Sequence, residues 1–308
     1  MATTAAVIDV GSNSVRLLLA HSVDARGADG PRIVTVTGLR RGASGDGTVT
    51  ATALERLDAC LADYAGMIRD AGMPPVVAVG TAAVREAPNR DAIQAIAARR
   101  LGTPLHVVSG RREAELSFAG ARLVLPPGAG NCRVIDIGGG STEVVEGDAG
   151  GPARSVSLAL GVNRQGDLIT ADPPPPHQVD AIRDEAARMV GAGIAGFRCD
   201  GPLIGVAGTV TTVAAVMAGR YDPDEIHGMV ITAADVAGVR ARLARLDDVE
   251  RARVPGLHPD RAPVIVPGLA ILAGALEALE AGGLMVSERD ILDGIAMEAA
   301  DAGGLRAE

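Results

Sequence analysis

Two stretches of this sequence repeat one pattern, and that pattern decides the fold class. Residues 7–19 read Val-Ile-Asp-Val-Gly-Ser-Asn-Ser-Val-Arg-Leu-Leu-Leu, and residues 134–145 read Val-Ile-Asp-Ile-Gly-Gly-Gly-Ser-Thr-Glu-Val-Val. Each runs from an apolar strand through an aspartate into a turn of small residues, and then into a second strand. The two stretches begin 127 positions apart, which is far too long for a solenoid repeat. The repetition therefore predicts two similar halves that face each other.

Strands and helices alternate along the rest of the chain, which indicates the α/β class. Pro126-Pro127-Gly128 is the strongest early boundary signal, so we predict one domain over residues 1–125 and a second over 126–287. A C-terminal helix at about 288–308 is expected to pack back on the first domain. Apolar periodicity predicts the other helices, at about 51–71, 89–101, 111–124, 177–195, 209–218, 233–246 and 262–282.

All 29 basic residues of this 308-residue chain are arginine, and the absence of lysine excludes several enzyme classes. P-loop nucleotidases, protein kinases and SxxK hydrolases each need a lysine at a defined place. Pyridoxal enzymes need a lysine amine for their Schiff base. The chain also has no Trp, only two Tyr and two Phe, and a net charge of −9, so we expect no nucleic-acid partner.

The cysteines and the apolar segments predict a soluble cytoplasmic protein with no membrane partner. Cys60, Cys132 and Cys199 form no CxxC pair, and we interpret them as reduced core residues. The first residues lack the basic region of a signal peptide. The longest apolar stretch, Pro263 to Leu276, is about fourteen residues, too short for a bilayer and typical of a buried helix.

The two small-residue turns are candidate phosphate-binding loops. Glycines let backbone N–H groups converge on an anion, and the neighbouring hydroxyl and amide side chains add further donors. Asp9 and Asp136 would repel a bare phosphate, which implies a divalent cation, and oxygen ligands favour Mg²⁺. The alternative is a pair of ordinary hairpin turns, in which Asp and Gly are common. The candidate phosphate-binding residues of the turns are Gly11, Ser12, Asn13, Ser14, Gly138, Gly139, Gly140, Ser141 and Thr142.

A third loop joins an apolar strand that begins at Leu203 to a helix start at Gly208-Thr209. The N-terminus of a helix binds anions through its unpaired N–H groups, so Gly208 and Thr209 are candidate phosphate contacts. Gly-Thr before a helix is also ordinary capping. The turn at Gly138 is followed by Thr-Glu-Val-Val, typical of a strand, which excludes a dinucleotide fingerprint.

The three loops together resemble the phosphate-1, phosphate-2 and adenosine segments of the actin-like phosphotransferase fold. Along nearly the whole chain, the sequence resembles the exopolyphosphatase/guanosine pentaphosphate phosphohydrolase family. This resemblance implies two actin-like (ribonuclease H-like) domains with the active site in the cleft between them. The matching segments begin at Asp9, Gly80, Ser109, Asp136, Leu160, Ala207 and Arg261.

The resemblance also implies roles for individual residues. Glu113 matches the general base, Asp136 and Glu143 match positions linked to the metal and the attacking water, and Asp9 is the third predicted metal ligand. Arginines around the substrate phosphates are matched by Arg16, Arg85, Arg164 and Arg261. A glutamate at the start of a helix can alternatively serve the helix dipole alone.

Many members of the family carry an acidic pair where this chain has Arg112-Glu113, which predicts an extra cation beside the base.

The resemblance implies Mg²⁺-dependent hydrolysis that releases terminal orthophosphate from inorganic polyphosphate. The chain resembles the short, two-domain members of the family, which favours short polyphosphates as substrates. Hydrolysis of guanosine pentaphosphate to the tetraphosphate is the alternative within the family. An actin-like small-molecule kinase and a non-catalytic sensor of alarmone or polyphosphate are alternatives from other classes. The apolar C-terminal helices favour a homodimer.

Overall fold

The chain divides into two compact units. The computed structural model describes residues 3–24, 26–41, 43, 46–198 and 200–302. The first unit comprises the described residues of Met1–Gly120 and Ile291–Glu308, and the second unit those of Ala121–Asp290. Pro126-Pro127-Gly128 thus lies a few residues inside the second unit. Each unit contains a mixed sheet with helices, which confirms the predicted α/β class.

The main sheet of the first unit has the strand order β5-β2-β1-β6-β7, and β3 and β4 form a separate two-stranded sheet. Strands β5, β2 and β1 are antiparallel, whereas β1, β6 and β7 are parallel. The carboxyl ends of these three parallel strands therefore share one edge of the sheet. The elements of the unit are β1 (Ala5–Val10), β2 (Ser14–Ala20), β3 (Ser22–Asp24), β4 (Gly27–Asp29), β5 (Arg32–Val36), α1 (Ala51–Asp70), β6 (Val76–Gly80), α2 (Ala82–Arg85), α3 (Arg90–Leu101), β7 (Leu105–Val107), α4 (Gly110–Ala121) and α12 (Ile291–Ala302).

The sheet of the second unit has the strand order β10-β9-β8-β11-β13-β12. Its antiparallel strands β10, β9 and β8 are again followed by parallel strands, β11 and β13, with β12 added antiparallel at the edge. The elements are β8 (Cys132–Ile137), β9 (Thr142–Asp148), β10 (Gly151–Leu158), α5 (Val162–Gly166), α6 (Pro176–Gly193), β11 (Leu203–Val206), α7 (Ala207–Ala218), α8 (Pro223–Ile226), β12 (Val230–Thr232), α9 (Ala233–Leu243), α10 (Asp248–Arg251), α11 (Ala262–Ala278) and β13 (Gly283–Val286), with 3₁₀ turns at Arg122–Val124 and Pro259–Arg261.

Helix α1 forms because its apolar residues recur on one face, as the sequence predicted. Leu57, Leu61, Tyr64 and Ile68 are buried in the core of the first unit. The Tyr64 hydroxyl donates to the Val15 carbonyl at 2.9 Å and contacts the Thr35 hydroxyl at 3.0 Å. Burial raises the pKa of this phenol above its usual value, so it stays a neutral donor that ties α1 to the sheet.

Helix α11 is the core helix of the second unit and differs from its prediction in length. It ends at Ala278 rather than near 282, and the residues beyond it lead into β13. With its preceding turn, the segment Pro259–Ala278 is long and apolar enough to cross a membrane by length and composition alone, but most of it is buried inside the unit. Leu269, Ile271 and Leu272 are fully buried there, so packing in the core accounts for its apolar character.

Two of the three cysteines lie in the cores. Cys60 and Cys132 are buried, as the sequence predicted. Burial raises the pKa of the Cys60 thiol, which lowers its reactivity at neutral pH. Cys199 lies outside the described residues.

The C-terminal helix α12 is part of the first unit and packs against α4. Its Asp293 is fully buried and accepts hydrogen bonds from the Ala28 amide at 3.1 Å and from Arg32 at 2.7 Å. A Cβ atom on Gly294 would lie 2.1 Å from the Leu116 carbonyl oxygen. Only glycine at position 294 lets the two helices approach this closely.

Gly294→Ala is expected to destabilise the protein by about 1–3 kcal/mol, because the added methyl group forces α12 away from α4. Gly66→Ala in α1 is the matched control, since its Cβ would meet nothing closer than the flexible end of Arg69 at 3.8 Å. That variant is expected to gain about 0.5–1 kcal/mol. Urea unfolding followed by circular dichroism measures both, and a Gly294→Ala protein as stable as Gly66→Ala would contradict the tight helix contact.

Candidate active site

The repeated motif forms the same hairpin turn in both units. The first turn is Gly11–Ser14, where the Gly11 amide donates to the Ser14 carbonyl at 3.0 Å. The second turn is Gly138–Ser141, where the Gly138 amide donates to the Ser141 carbonyl at 2.9 Å. Each turn follows the carboxyl end of a central strand, β1 or β8. The sequence therefore predicted both turns and their equivalence.

Main-chain hydrogen bonds orient the peptide groups of the second turn. The Val162 amide donates to the Gly138 carbonyl at 3.0 Å, and the Asn163 amide donates to the Gly139 carbonyl at 2.9 Å. In a trans peptide the carbonyl and the following N–H point in opposite directions. The N–H groups of Gly139 and Gly140 therefore point away from α5, and such an array of donors can bind an anion.

The first turn is oriented in the same way by the segment that follows β5. The Arg40 amide donates to the Ser12 carbonyl at 3.1 Å, and the Gly38 amide donates to the Asn13 carbonyl at 2.8 Å. The N–H groups of Asn13 and Ser14 consequently point away from that segment. The sequence did not identify the residues that tie back either turn, because these bonds come from the main chain and leave no residue signature.

The second hairpin carries two carboxylates on one face of the sheet. Asp136 on β8 lies directly opposite Glu143 on β9, and such antiparallel partners share a face with Cβ atoms about 4.5–5.5 Å apart. Glu143 is 2% exposed and accepts a hydrogen bond from the Ser157 hydroxyl at 2.6 Å. Ser157, which the sequence did not single out, thus fixes one of the predicted metal ligands.

The first hairpin carries an ion pair at the matching positions. Asp9 lies opposite Arg16, whose Nε and Nη2 contact the Asp9 Oδ2 atom at 3.0 and 2.7 Å. Metal binding by Asp9 has to compete with this guanidinium, and phosphate binding by Arg16 has to compete with this carboxylate. The two hairpins therefore share a backbone but differ in charge.

Asp136 and Glu143 fit a magnesium ion that is shared with a phosphate ligand. Within the described residues, no three His, Cys, Asp or Glu side chains converge into a group that could hold a metal by themselves. Mg²⁺ commonly takes only one or two protein carboxylates and completes its octahedron with water and substrate phosphate oxygens. A pair of carboxylates beside a turn of N–H donors matches that requirement.

The predicted base, Glu113, is buried in the first turn of α4. Its Oε2 atom lies 2.9 Å from Nη1 of Arg85, which also donates to the Val108 carbonyl at 2.8 Å. Arg85 thus holds the carboxylate of Glu113 in place. The position also suits a glutamate that stabilises the helix dipole, so geometry alone fits both interpretations.

Arg112 differs from its prediction. The guanidinium contacts Glu115 at 3.1 Å on the same helix and also contacts Glu298 on α12. Two carboxylates therefore compensate its charge. Arg85 is a cation that does contact Glu113.

The third predicted loop opens helix α7 in the second unit. Ala207 has a φ of 65°, a left-handed conformation that turns the chain from β11 into the helix. Arg261 donates to the Gly208 carbonyl at 2.5 Å and to the Thr212 hydroxyl at 3.0 Å. A Cβ atom on Gly208 would lie 2.6 Å from the guanidinium carbon, so a larger residue at this position would displace the Arg261 side chain. Thr209 is buried in the first turn of the helix.

Each unit gathers most of its predicted site residues at one edge of its own sheet. In the first unit these residues follow β1, β6 and β7, and in the second unit they follow β8 and β11. Arg164 lies on α5, in the segment that follows β10, and is exposed. The residues at the edge of the first unit are Asp9, Gly11, Ser12, Asn13, Ser14, Arg16, Arg85 and Glu113, and those of the second are Asp136, Gly138, Gly139, Gly140, Ser141, Thr142, Glu143, Gly208, Thr209 and Arg261.

Gly161→Ala is expected to disturb the second turn, because a Cβ atom there would lie 2.4–2.5 Å from backbone atoms of Gly139 and Gly140. The displaced turn should weaken phosphate binding, which raises the KM for short polyphosphate at least about 10-fold. The same clash should lower the free energy of unfolding by about 1–3 kcal/mol. Gly166→Ala, whose Cβ would meet only Pro267 at 3.7 Å, is the control. Equal KM values for the two variants would count against an anion site at this turn.

Comparisons with known proteins agree on one family. The sequence matches the Ppx/GppA phosphatase family over residues 32–302. Exopolyphosphatase 2 of Mycobacterium tuberculosis is 36% identical over 97% of this chain and 99% of its own length. A putative exopolyphosphatase of Haemophilus influenzae is 30% identical over 94% of this chain and 89% of its own.

Solved structures of the family share the fold. The crystal structure of an Aquifex aeolicus Ppx/GppA family member has a TM-score of 0.80 at 26% identity, covering 98% of this chain and 99% of that one. An exopolyphosphatase from Cytophaga hutchinsonii has a TM-score of 0.87 at 24% identity over 97% and 98% of the two chains, which concerns the fold alone. With the family match spanning most of the sequence and relatives that correspond along nearly their full length, this chain belongs to the Ppx/GppA phosphatase family.

Proposed function

We propose that this protein is an exopolyphosphatase that hydrolyses the terminal phosphoanhydride bond of inorganic polyphosphate. The observation that carries the proposal is the pair of hairpin turns. In each turn two carbonyls accept main-chain hydrogen bonds from a neighbouring segment, so that the N–H groups that follow them point away from that segment. A polyphosphate chain presents oxygens to such donors without needing a base or sugar pocket. The relatives that are named exopolyphosphatases and match along nearly the whole chain support the same function.

In the proposed reaction, Glu113 accepts a proton from the attacking water. The water oxygen forms a bond to the terminal phosphorus while the bond from that phosphorus to the bridging oxygen breaks. Orthophosphate leaves, the chain is one phosphate shorter, and Glu113 returns its proton to solvent. Arg85 orients the carboxylate through the contact at 2.9 Å, and the second turn binds phosphate oxygens through its N–H groups.

We propose that Asp136 and Glu143 hold a Mg²⁺ ion in this reaction. When bound, the ion neutralises negative charge on the phosphate oxygens and polarises the phosphorus for attack. Such compensation is needed because a protein with net charge −9 must bind a polyanion. Ser157 keeps Glu143 oriented for this role through its hydrogen bond of 2.6 Å.

The remaining proposals concern the context of the reaction. Short polyphosphates are the proposed substrates, and the cytoplasm is the proposed location. Hydrolysis of guanosine pentaphosphate is not favoured, because the matching relatives are named exopolyphosphatases. A homodimer stays a prediction that light scattering tests. The apolar helix α11 is mostly buried within its own unit.

Glu113→Gln is expected to reduce phosphate release at least about 100-fold, because the amide cannot accept the proton. Glu115→Gln, the same change two residues further along α4, is expected to keep wild-type turnover. Orthophosphate release from short polyphosphate measures both, with circular dichroism as the check on folding. Full activity of Glu113→Gln would assign Glu113 to the helix dipole and overturn its role as the base.

Removal of Mg²⁺ with a chelator is expected to abolish phosphate release, and added Mg²⁺ to restore it. Asp136→Asn should raise the Mg²⁺ concentration that gives half-maximal activity at least about 10-fold, because it removes one of two anionic ligands. Activity in the presence of chelator, or an unchanged Mg²⁺ requirement in Asp136→Asn, would contradict the proposed site.

A side-by-side assay of short polyphosphate, long polyphosphate and guanosine pentaphosphate tests the substrate. Faster release from short polyphosphate is the expected result. Phosphate release without an acceptor excludes a kinase, and any sustained turnover excludes a non-catalytic sensor. Preference for guanosine pentaphosphate would overturn the proposed function in favour of the alternative within the family.

A further inference from the structure

Helices α4 and α12 contact each other at two matched positions in the first unit. Gly294 on α12 lies against the Leu116 carbonyl on α4, and Glu298 contacts Arg112. Between the first contact and the second, the residue number rises by four on α12 and falls by four on α4. The two helices therefore run antiparallel, and residues four apart lie on the same side of each helix. The Glu298–Arg112 contact therefore lies at the start of α4, one residue before Glu113.

The first turn of α4 is stabilised within the helix by the Ser109 cap and by the ion pairs of Arg111 and Arg112 with Glu115. It begins at Gly110, which has a poor helix propensity, and the Arg111 side chain is 83% exposed. Its local cap is Ser109, whose hydroxyl accepts a hydrogen bond from the Arg112 amide at 3.1 Å. Helix ends fray readily, so the position of Glu113 depends on tertiary contacts on both of its sides.

Two of these tertiary contacts come from different elements of the first unit. Arg85, at the end of α2, holds the carboxylate of Glu113 directly. Glu298, on α12, holds the neighbouring residue Arg112, and both side chains of that pair are largely buried, at 15% and 19% exposed. An ion pair with this degree of burial is screened less by solvent than one on the surface.

We propose that the Glu298–Arg112 pair is a positioning contact that fixes the first turn of α4 and thereby the carboxylate of Glu113. The proposal rests on the proposed function of Glu113 as the general base. A displacement of about 1 Å in a catalytic group can cost about 100-fold in rate. Neither residue touches substrate in this role, and both act through the helix that carries Glu113.

The chain offers a matched pair of variants, because Arg112 has two carboxylate partners. Glu298→Gln removes the negative charge from the link between the helices but leaves Arg112 compensated by Glu115. Glu115→Gln makes the same chemical change within α4 and leaves the link intact. A difference between the two variants therefore reports the link itself and not an uncompensated arginine.

We expect Glu298→Gln to lower kcat for phosphate release from short polyphosphate about 10-fold, with KM within about twofold of wild type. Glu115→Gln should keep the wild-type kcat. Equal kcat values for Glu298→Gln and Glu115→Gln, or a loss in KM alone, would overturn the proposal.

Hydrogen exchange of the folded protein tests the same contact without relying on activity. Backbone amides of residues 112–116 should exchange faster in Glu298→Gln than in wild type or Glu115→Gln, while α1 remains unchanged. Unchanged exchange at residues 112–116 would overturn the proposal even if kcat falls. A wild-type protein that releases no phosphate would instead refute the proposed function, and the exchange result would still decide whether the link holds the turn.

Discussion

Hydrogen bonds that tie back the carbonyls of two hairpin turns are the constraint on which the rest of this structure depends. A trans peptide cannot direct its carbonyl and its N–H to the same side, so fixing Gly138 and Gly139 through α5 determines where the donors of the second turn point. The segment at Gly38 and Arg40 does the same for the first turn. Gly161 allows α5 to approach the second turn, since a Cβ atom on Gly161 would clash with the backbone of that turn.

The two hairpins have the same backbone arrangement but carry different charges. In the first unit Asp9 faces Arg16, and the pair is close to neutral; in the second unit Asp136 faces Glu143, and both are acidic. A divalent cation is favoured by the second arrangement and has a competitor in the first. Arginine, the only basic residue type besides histidine in the chain, is put to structural use at these edges: Arg16 on Asp9, Arg85 on Glu113 and Arg261 on Gly208. A guanidinium suits this because it stays charged and offers several donors in one plane.

Long periodic helices, the two repeated hairpins and the short strand that begins at Leu203 could be predicted from local patterns, whereas three other strands could not. The edge strands β10 and β12 and the inner strand β13 were not predicted, and the helix expected to reach residue 282 ends at Ala278. Strand β13 has only four residues and lies between β11 and β12. Its pairing partners are distant in sequence, so no local pattern indicates them. A run of four residues is also too short to show whether its apolar residues follow the period of a strand or of a helix.

The sequence by itself determined the α/β class, the two equivalent turns, the family resemblance and the identity of the candidate groups, because these depend on residue type and spacing along the chain. Only the tertiary structure decided which partner each charged group takes. Arg16 faces Asp9, Arg85 rather than Arg112 contacts Glu113, and Arg112 reaches Glu298 from 186 positions away. Ion pairs of this kind form between side chains brought together by packing, and a guanidinium accepts any carboxylate within its reach. Spacing along the chain therefore identifies the candidates, and the packing of the helices assigns their partners.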